Sequence, residues 1–532
     1  MKSVLENFLE ESKGVETSAP TVASVKVGST SQPIVSSGQL LLAGCNDWDN
    51  ATAKTPNGLP TVHRVDLGSE VENVFSSSSS LHEFSLLADG SVRAMGKNDH
   101  GQLGTGDLLT RELPVCIELP STSKVVKIAT GRSHTLVLFE SGEVWGCGAC
   151  NFGQLGSGTS KTAAKDSLKF IKVPFTTPVR DIACGYDFSL ACTRDGALYG
   201  FGHPEYGVLG QGTDGQYIKD GGKGAAVQYS CEYVPKRIVK FVTKDNHGKV
   251  TATIDGASIR IRAVAAGKNH ALCLEDWEAA PGESEEADNL PLNRVFSWGW
   301  GGYGRLGHNA AQDEFFPREV LAFSHFLPAQ GGAKIQVAPV NAQKKVREIV
   351  CGSSFSIAVT ESRHLAYWGK MSNAPRGEAT VYPQVQQELF DYPVRRVAAG
   401  SNLIVVIAGY NNRAKKINGA EAGPSVGIAW GAPTAGKIGF EGDARSSTNP
   451  KILSMYEGLN LMKVSCGYGH VSFVAVNEAP EDGSSQVAVD KLATLSVLSA
   501  VAAPAGGKGK AGGKKKAGEI EAKAPAAKKA KK

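Results

Sequence analysis

The sequence predicts an all-β protein, a seven-bladed β-propeller of four-stranded antiparallel blades, and three observations carry that expectation. Four turns of one spelling recur at Gly101-Gln-Leu-Gly104, Gly153-Gln-Leu-Gly156, Gly207-Val-Leu-Gly210 and Gly304-Arg-Leu-Gly307, each with a further glycine five residues earlier. A second signature, VKIATGRSHTLVL at 126–138, returns at 179–191, 261–273, 346–358, 394–406 and 462–474, with a serine-rich variant, VENVFSSSSSLHEFSLL, at 71–87. Glycine makes up 62 of 532 residues, and it sits among alternating apolar residues, as expected for short strands joined by tight turns.

Each element follows in chain order. The second signature reads as two short strands around a glycine turn. A third strand, spelled SVRAM, EVWGC, ALYGF or VFSW, then runs into the first glycine of the G-x-L-G unit, and a connecting segment supplies the fourth. The closest copies lie 52 and 54 residues apart, from Gly101 to Gly153 and from Gly153 to Gly207. One such sheet cannot bury both faces alone, so the units pack radially as blades. The copy at 462–474 lacks its own third strand, and GQLLLAGCNDWD at 38–49 is expected to supply it. Borrowing that strand fastens the ring with both ends of the chain. The expected organisation is a flexible segment at 1–37, the propeller at 38–477 and a disordered basic tail at 478–532.

The charge is unevenly placed. Residues 506–532 hold ten lysines against Glu519 and Glu521 and carry +8, so in a chain of net +5 the remainder carries −3. A tail of Lys, Ala, Gly and Pro is too poor in apolar residues to fold. It neutralises phosphates without reading sequence, and Lys514, Lys515, Lys516, Lys528, Lys529, Lys531 and Lys532 are its expected nucleic-acid contacts; the last four also fit a nuclear-import signal. The acidic start of the chain fits neither a secretory nor a mitochondrial signal, and no apolar run is long enough to span a membrane. The ten cysteines are expected to be reduced and structural. Cys147 and Cys150 form C-G-A-C without the second pair a zinc site needs, so no metal and no cofactor are expected.

FSWGWGGYGRLGH at 296–308 contains G-x-G-x-x-G, the spacing of a dinucleotide loop, and Glu319 lies where a ribose-binding acid would stand. Gly299 and Gly304 occupy slots filled in three other blades, however, so the stretch reads as the fourth blade's third strand and turn. His82, His134, His270 and His470 share one repeat position with Phe188, Phe355 and Leu403, which makes them core side chains. Trp298, Trp368 and Trp430 precede the strand glycine, a blade-packing slot. Departures from the repeat are the better guide to function, because loops on a rigid ring carry it. The insertion at 214–258 is the main one. The acidic stretch at 275–288, with seven acids and no base, is expected to be a solvated loop.

These repeats resemble the regulator of chromosome condensation family, over roughly 38–477. The longer segments FGHPEYGVLGQGTDGQYI at 201–218, CEYVPKRIVKFVTK at 231–244 and DEFFPREV at 313–320 are similar to the family's mitotic branch. The resemblance implies a non-enzymatic propeller that binds a small GTPase of the Ran, Rac or Arf type through a wedge and neighbouring loops on one face. It also implies guanine-nucleotide exchange activity, attachment to chromatin and to microtubule or other mitotic proteins, and a nuclear and cytoplasmic distribution with chromatin or spindle association in mitosis. A scaffold without exchange activity is the alternative. Glu205, Tyr206, Asp214, Tyr217, Tyr303 and Arg305 are the expected partner contacts. The branch carries its basic extension at the N-terminus, whereas here it is C-terminal.

Overall fold

The computed structural model describes residues 38–476, except 159, 163, 219–226, 246, 277–292, 324–344, 372–378, 410–415, 418–419, 422–424 and 443, together with 497–499. Over this range the chain forms seven antiparallel sheets arranged as propeller blades, with short 3-10 turns as the helical structure among the described residues. The inner strands are Val71–Phe75, Val125–Thr130, Val179–Cys184, Ile261–Ala266, Val346–Cys351, Val394–Ala399 and Asn460–Cys466. They line a central cavity of about 240 Å³. Each second strand lies outside its inner strand and is buried along nearly its whole length, as in His134–Phe139 and Leu403–Ala408.

The seventh blade closes as expected. Gln39–Gly44 pairs with His470–Val476 over six residue pairs, from Gln39↔Ala475 to Gly44↔His470, and His63–Asp66 follows as the fourth strand. The closing strand alternates as a strand buried on both faces must. Leu40 and Leu42 pack against the first blade, whereas Leu41 and Ala43 pack against the sixth. Among the described residues, seven apolar clusters fill the seven boundaries between neighbouring blades. Trp298, Trp368 and Trp430 sit in three of them, and the Trp298 indole donates to the Val208 carbonyl at 2.7 Å. Close approach explains one recurrent glycine: Gly299 has φ +100, and a Cβ there would meet Asn269 O at 2.8 Å.

The shared histidines stitch blades together. His82 Nε2 lies 2.8 Å from Thr135 Oγ1, His134 Nε2 3.0 Å from Ser189 Oγ, and His270 Nε2 3.0 Å from Ser356 Oγ, each across a blade boundary. His470 reaches Glu83 of the first blade at 3.3 Å. All four rings are buried, so the repeat slot is a core position that also holds neighbouring blades in register. Cys147 and Cys150 are free, buried thiols, and burial pushes both up from the ordinary thiol range.

Two blades depart from four strands. The fourth has six, because Lys240–Lys244 and Val250–Asp255 form a hairpin that lies parallel against Glu314–Glu319 through Val242↔Arg318. Charge and apolar packing both hold this junction: Lys244 pairs with Glu314 at 2.6 Å, Arg318 pairs with Glu314 at 2.8 Å, Thr243 donates to Glu319 at 2.6 Å, and buried Phe241 meets Phe296 edge-on at 5.1 Å. The seventh blade has five strands, since Val497–Ser499 runs parallel to His63–Asp66. That segment falls inside the stretch expected to be disordered from 478. Its spelling, Leu495-Ser-Val-Leu-Ser499, is apolar and unlike the lysine-rich part that suggested disorder. The rest of the expected flexible termini, and every lysine named above, lie outside the described residues.

Candidate protein-interaction face

The glycine turns between first and second strands, and the G-x-L-G turns after third strands, emerge on the same face of the ring. The insertion at 214–258 adds the main relief there. It splits into a hairpin, Gln216–Ile218 with Val227–Tyr229, the third blade's fourth strand Glu232–Arg237, and the hairpin already described on the fourth blade. Tyr217, Ile218 and Val227 on the first hairpin are 45%, 62% and 51% exposed; Ile218 and Val227 face each other on one side of the hairpin, and Tyr217 lies on the other beside Gln228. Tyr217 donates across the hairpin to Gln228 Oε1 at 3.1 Å, and Asp214 caps its start by accepting from Gln216 N at 3.1 Å.

The hairpin is tied to the turn beside it. Tyr229 donates to Glu205 Oε1 at 3.3 Å, and the His203 ring lies 4.4 Å from that of Tyr229. Burial raises the Glu205 carboxyl above its ordinary range, pushes the Tyr229 hydroxyl up to about 12, and lowers His203 to about 4. All three shifts favour the neutral form, as burial of these groups against one another requires.

Next to Glu205 the third and fourth blades share an aromatic cluster. Tyr206 stacks on Trp300 at 5.5 Å, and Trp300 meets Tyr303 edge-on at 5.8 Å. Tyr206 and Tyr303 occupy the same turn position and both have left-handed backbones, φ +61 and +63. A non-glycine residue pays about 1–2 kcal/mol for that conformation, and strain of this kind collects at functional sites. Tyr303 is 49% exposed.

Arg305 needs correction as a partner contact. It is 0% exposed, its guanidinium lies 3.9 Å from the Trp300 ring centre, and it donates to the Gly302 and Ser353 carbonyls. Burial lowers it to about 10. It holds Trp300 from beneath and offers no surface of its own. Arginine reads as a surface residue in sequence because a covering indole is a tertiary fact. The structure thus brings Glu205, Tyr206, Tyr303 and the hairpin residues Asp214 and Tyr217 to one face, with Arg305 below them.

Sequence reasoning missed a second group on this face. Arg132 pairs with Asp187 at 2.9 Å, and both Arg132 and Lys268 lie over the Tyr186 ring, at 4.5 and 4.8 Å. Arg132, Tyr186 and Lys268 each follow the turn glycine of the second signature, so comparing that one column across the copies would have found them.

The dinucleotide spacing serves another purpose. Gly304 opens a tight turn that leads to the strand Glu314–Glu319 rather than to a helix, so this segment has no helix N-terminus to hold a pyrophosphate. At Gly301 a Cβ would sit 1.8 Å from Gln312 O, which explains the additional glycine. Among the described residues no cluster of side chains fits a metal ion, and no helix is long and apolar enough to cross a membrane.

A closed ring of seven antiparallel blades defines the protein as a β-propeller. More narrowly, the chain belongs to the RCC1-like domain family, whose pattern matches residues 8–473. Among its relatives, protein RCC2 of Homo sapiens is 33% identical over 83% of this chain and 77% of its own length. The RCC2 homolog of Xenopus laevis is 32% identical over 84% and 79%. Solved structures agree on the fold. Prp20p from Saccharomyces cerevisiae, reported with its binding properties to Gsp1p and histones, superposes with a TM-score of 0.56 at 18% identity over 85% of this chain and 94% of its own. Human WBSCR16 does so at 0.57 and 19%, over 82% and 99%.

Proposed function

We propose that this propeller acts in chromosome condensation or cell division by docking a small GTPase of the Ran, Rac or Arf type on its hairpin face, while its lysine tail holds chromatin. The observation that carries the reading is the hairpin of Gln216–Ile218 and Val227–Tyr229, which holds three exposed apolar side chains beside the Tyr206–Trp300–Tyr303 cluster. A projecting apolar edge flanked by strained aromatic turns is shaped to insert into a partner, and aromatic anchors of this kind dominate binding energy. Membership of a family that includes RCC2 supports the cell-division setting.

Nucleotide exchange needs no acid–base pair. It requires that the platform bind the nucleotide-free GTPase better than the loaded one, because a ligand shifts an equilibrium only by its differential affinity. The test is release of a fluorescent guanine nucleotide from Ran, Rac and Arf proteins, with the full chain and with Tyr217→Ala/Ile218→Asp. Acceleration that the double variant loses supports exchange. Binding that is indifferent to nucleotide state assigns a scaffold instead, and no binding to any of the three overturns the GTPase reading. The nuclear, cytoplasmic and mitotic distribution belongs to the same proposal and is tested by imaging the full chain through division.

A further inference from the structure

The opposite mouth of the channel has an unusual charge pattern, and a repeated backbone irregularity creates it. Every inner strand carries a register shift at the same place, between Val71 and Asn73, Val125 and Lys127, Val179 and Asp181, Ile261 and Ala263, Val346 and Glu348, Val394 and Arg396, and Leu461 and Lys463. A bulge leaves two residues opposite one and re-aims side chains. The apolar residues on either side stay in the blade boundaries, and two consecutive side chains per blade are left at the rim.

In the first three blades these positions balance. Lys127 pairs with Asp181 at 2.7 Å, Arg180 pairs with Asp276, and Glu72 pairs with Lys124 at 3.0 Å. In the last four they do not. The pairs Arg262-Ala263, Arg347-Glu348, Arg395-Arg396 and Met462-Lys463 supply five cations and one acid. Arg363 joins them from the turn of the fifth blade, where it donates to the Val394 carbonyl at 3.5 Å. Among the described residues none of these six cations has an ion-pair partner; Arg262 and Arg396 find backbone carbonyls instead. The charges feel one another across the opening. Burial and then the neighbouring Arg347, Arg396 and Arg395 depress Arg363, and burial and Arg396 depress Lys463. The Glu348 carboxyl is raised by burial and drawn back by Arg347, Arg396 and by Lys127 of the second blade.

We propose that this rim binds a compact anion carrying several clustered phosphates, on an inositol ring or a phosphoanhydride chain, with Arg347, Arg395 and Arg396 as its principal ligands. Six cations set against Glu348, with Asp276, Glu361 and Glu72 nearby, leave an excess of positive charge; that excess destabilises the free protein, and an anion relieves the repulsion. Guanidinium groups match phosphate oxygens in bidentate geometry. The cations come from four neighbouring blades at one mouth of the channel, a spacing that a small multiply charged molecule bridges.

The test is thermal unfolding of the full chain with inositol hexakisphosphate or inorganic tripolyphosphate. Lysines that bind anions equally in folded and unfolded chains cancel from this readout, whereas a site built by the fold raises Tm. At a hundredfold excess over Kd the expected rise is about 3 °C for a ring of this size. The two compounds separate the ring-borne source from the chain-borne one. Arg395→Gln/Arg396→Gln should lose the rise, while Lys165→Gln/Lys169→Gln at the outer edge of the second blade should keep it. Without anion the rim double variant should melt at or above the unsubstituted chain. No rise, a rise kept by the rim variant, a lowered melting point of that variant alone, or an equal rise with duplex DNA or polyglutamate would overturn the proposal.

Discussion

His134 Nε2 donates to Ser189 Oγ across the boundary between the second and third blades, at 3.0 Å. The direction follows from counting protons. Ser189 Oγ has one hydrogen and gives it to the Gln154 carbonyl at 2.8 Å, so the imidazole supplies the other. Thr135 gives its proton to Gln102 O, and Ser356 gives its own to Arg305 O, both at 2.8 Å, which places His82 and His270 in the same tautomer. Buried away from water, the imidazoles are disfavoured in their charged form: His82 and His134 are lowered to about 3, and His270 is lowered well below its ordinary value.

This makes the ring acid-sensitive in a way one substitution can test. The unfolded chain protonates its histidines near pH 6.5 while the folded chain resists, so stability is whole above that value and falls as pH drops toward 3. By pH 5 one such histidine costs about 2 kcal/mol. His134→Phe fits the slot, since Phe188 and Phe355 occupy it in other blades. It should cost about 1 kcal/mol at pH 7.5, the worth of the lost hydrogen bond. At pH 5 it should match or exceed the unsubstituted chain in urea unfolding. An equal deficit at both pH values would remove the argument.

Glu314 is 4% exposed and lies between Lys244 and Arg318. Removing a buried partner leaves charge uncompensated, at a cost of about 3 kcal/mol or more. Glu314→Ala should show that loss in denaturant unfolding, together with faster hydrogen exchange in Lys240–Lys244, which that carboxylate fastens to the blade. A loss below about 1 kcal/mol would mean that the apolar contacts of Phe241 and Val242 hold the hairpin.

The legible and illegible parts of the molecule divide along a physical line. The seven inner strands and the closing strand could be read because each repeats a local pattern whose apolar residues alternate, and Leu40 to Ala43 alternate in the same way. The hairpin at 240–255 could not, because Glu314, Arg318 and Lys244 meet only after folding and none carries a hydrophobic signal. For the same reason Arg305 looked like a contact before Trp300 was seen to cover it. Tyr206, Tyr217 and Tyr303 stood out as departures from the repeat. The rim cations did not, because each occupies an ordinary half-buried or exposed strand or turn position and acquires meaning only when the blades bring those positions together.

Tyr303 should trade stability against binding. Its φ of +63 favours glycine, and relief of that strain is worth about 1–2 kcal/mol. Tyr303→Gly forfeits the edge contact with Trp300, worth about 1 kcal/mol. The variant should therefore unfold within about 1 kcal/mol of the unsubstituted chain while losing GTPase binding tenfold or more in a titration. A clear loss of stability with unchanged binding would assign the tyrosine to the fold alone.

Two truncations separate the tail's roles. Residues 506–532 carry the +8, so their removal should abolish salt-sensitive DNA binding, because affinity for phosphates falls with each cation lost. Tm should move by no more than about 1 °C, since that composition buries nothing on folding. Removal of 478–532 also takes away Val497–Ser499, the outermost strand on the blade that closes the ring. It exposes the edge of His63–Asp66, and an unpaired edge loses its hydrogen bonds and invites association. The longer truncation should melt a few degrees lower and self-associate on heating, with DNA binding no weaker than in the shorter one. Equal melting of the two chains would show that Val497–Ser499 contributes nothing to closure. DNA binding that survives the shorter truncation would place the phosphate contacts on the propeller itself.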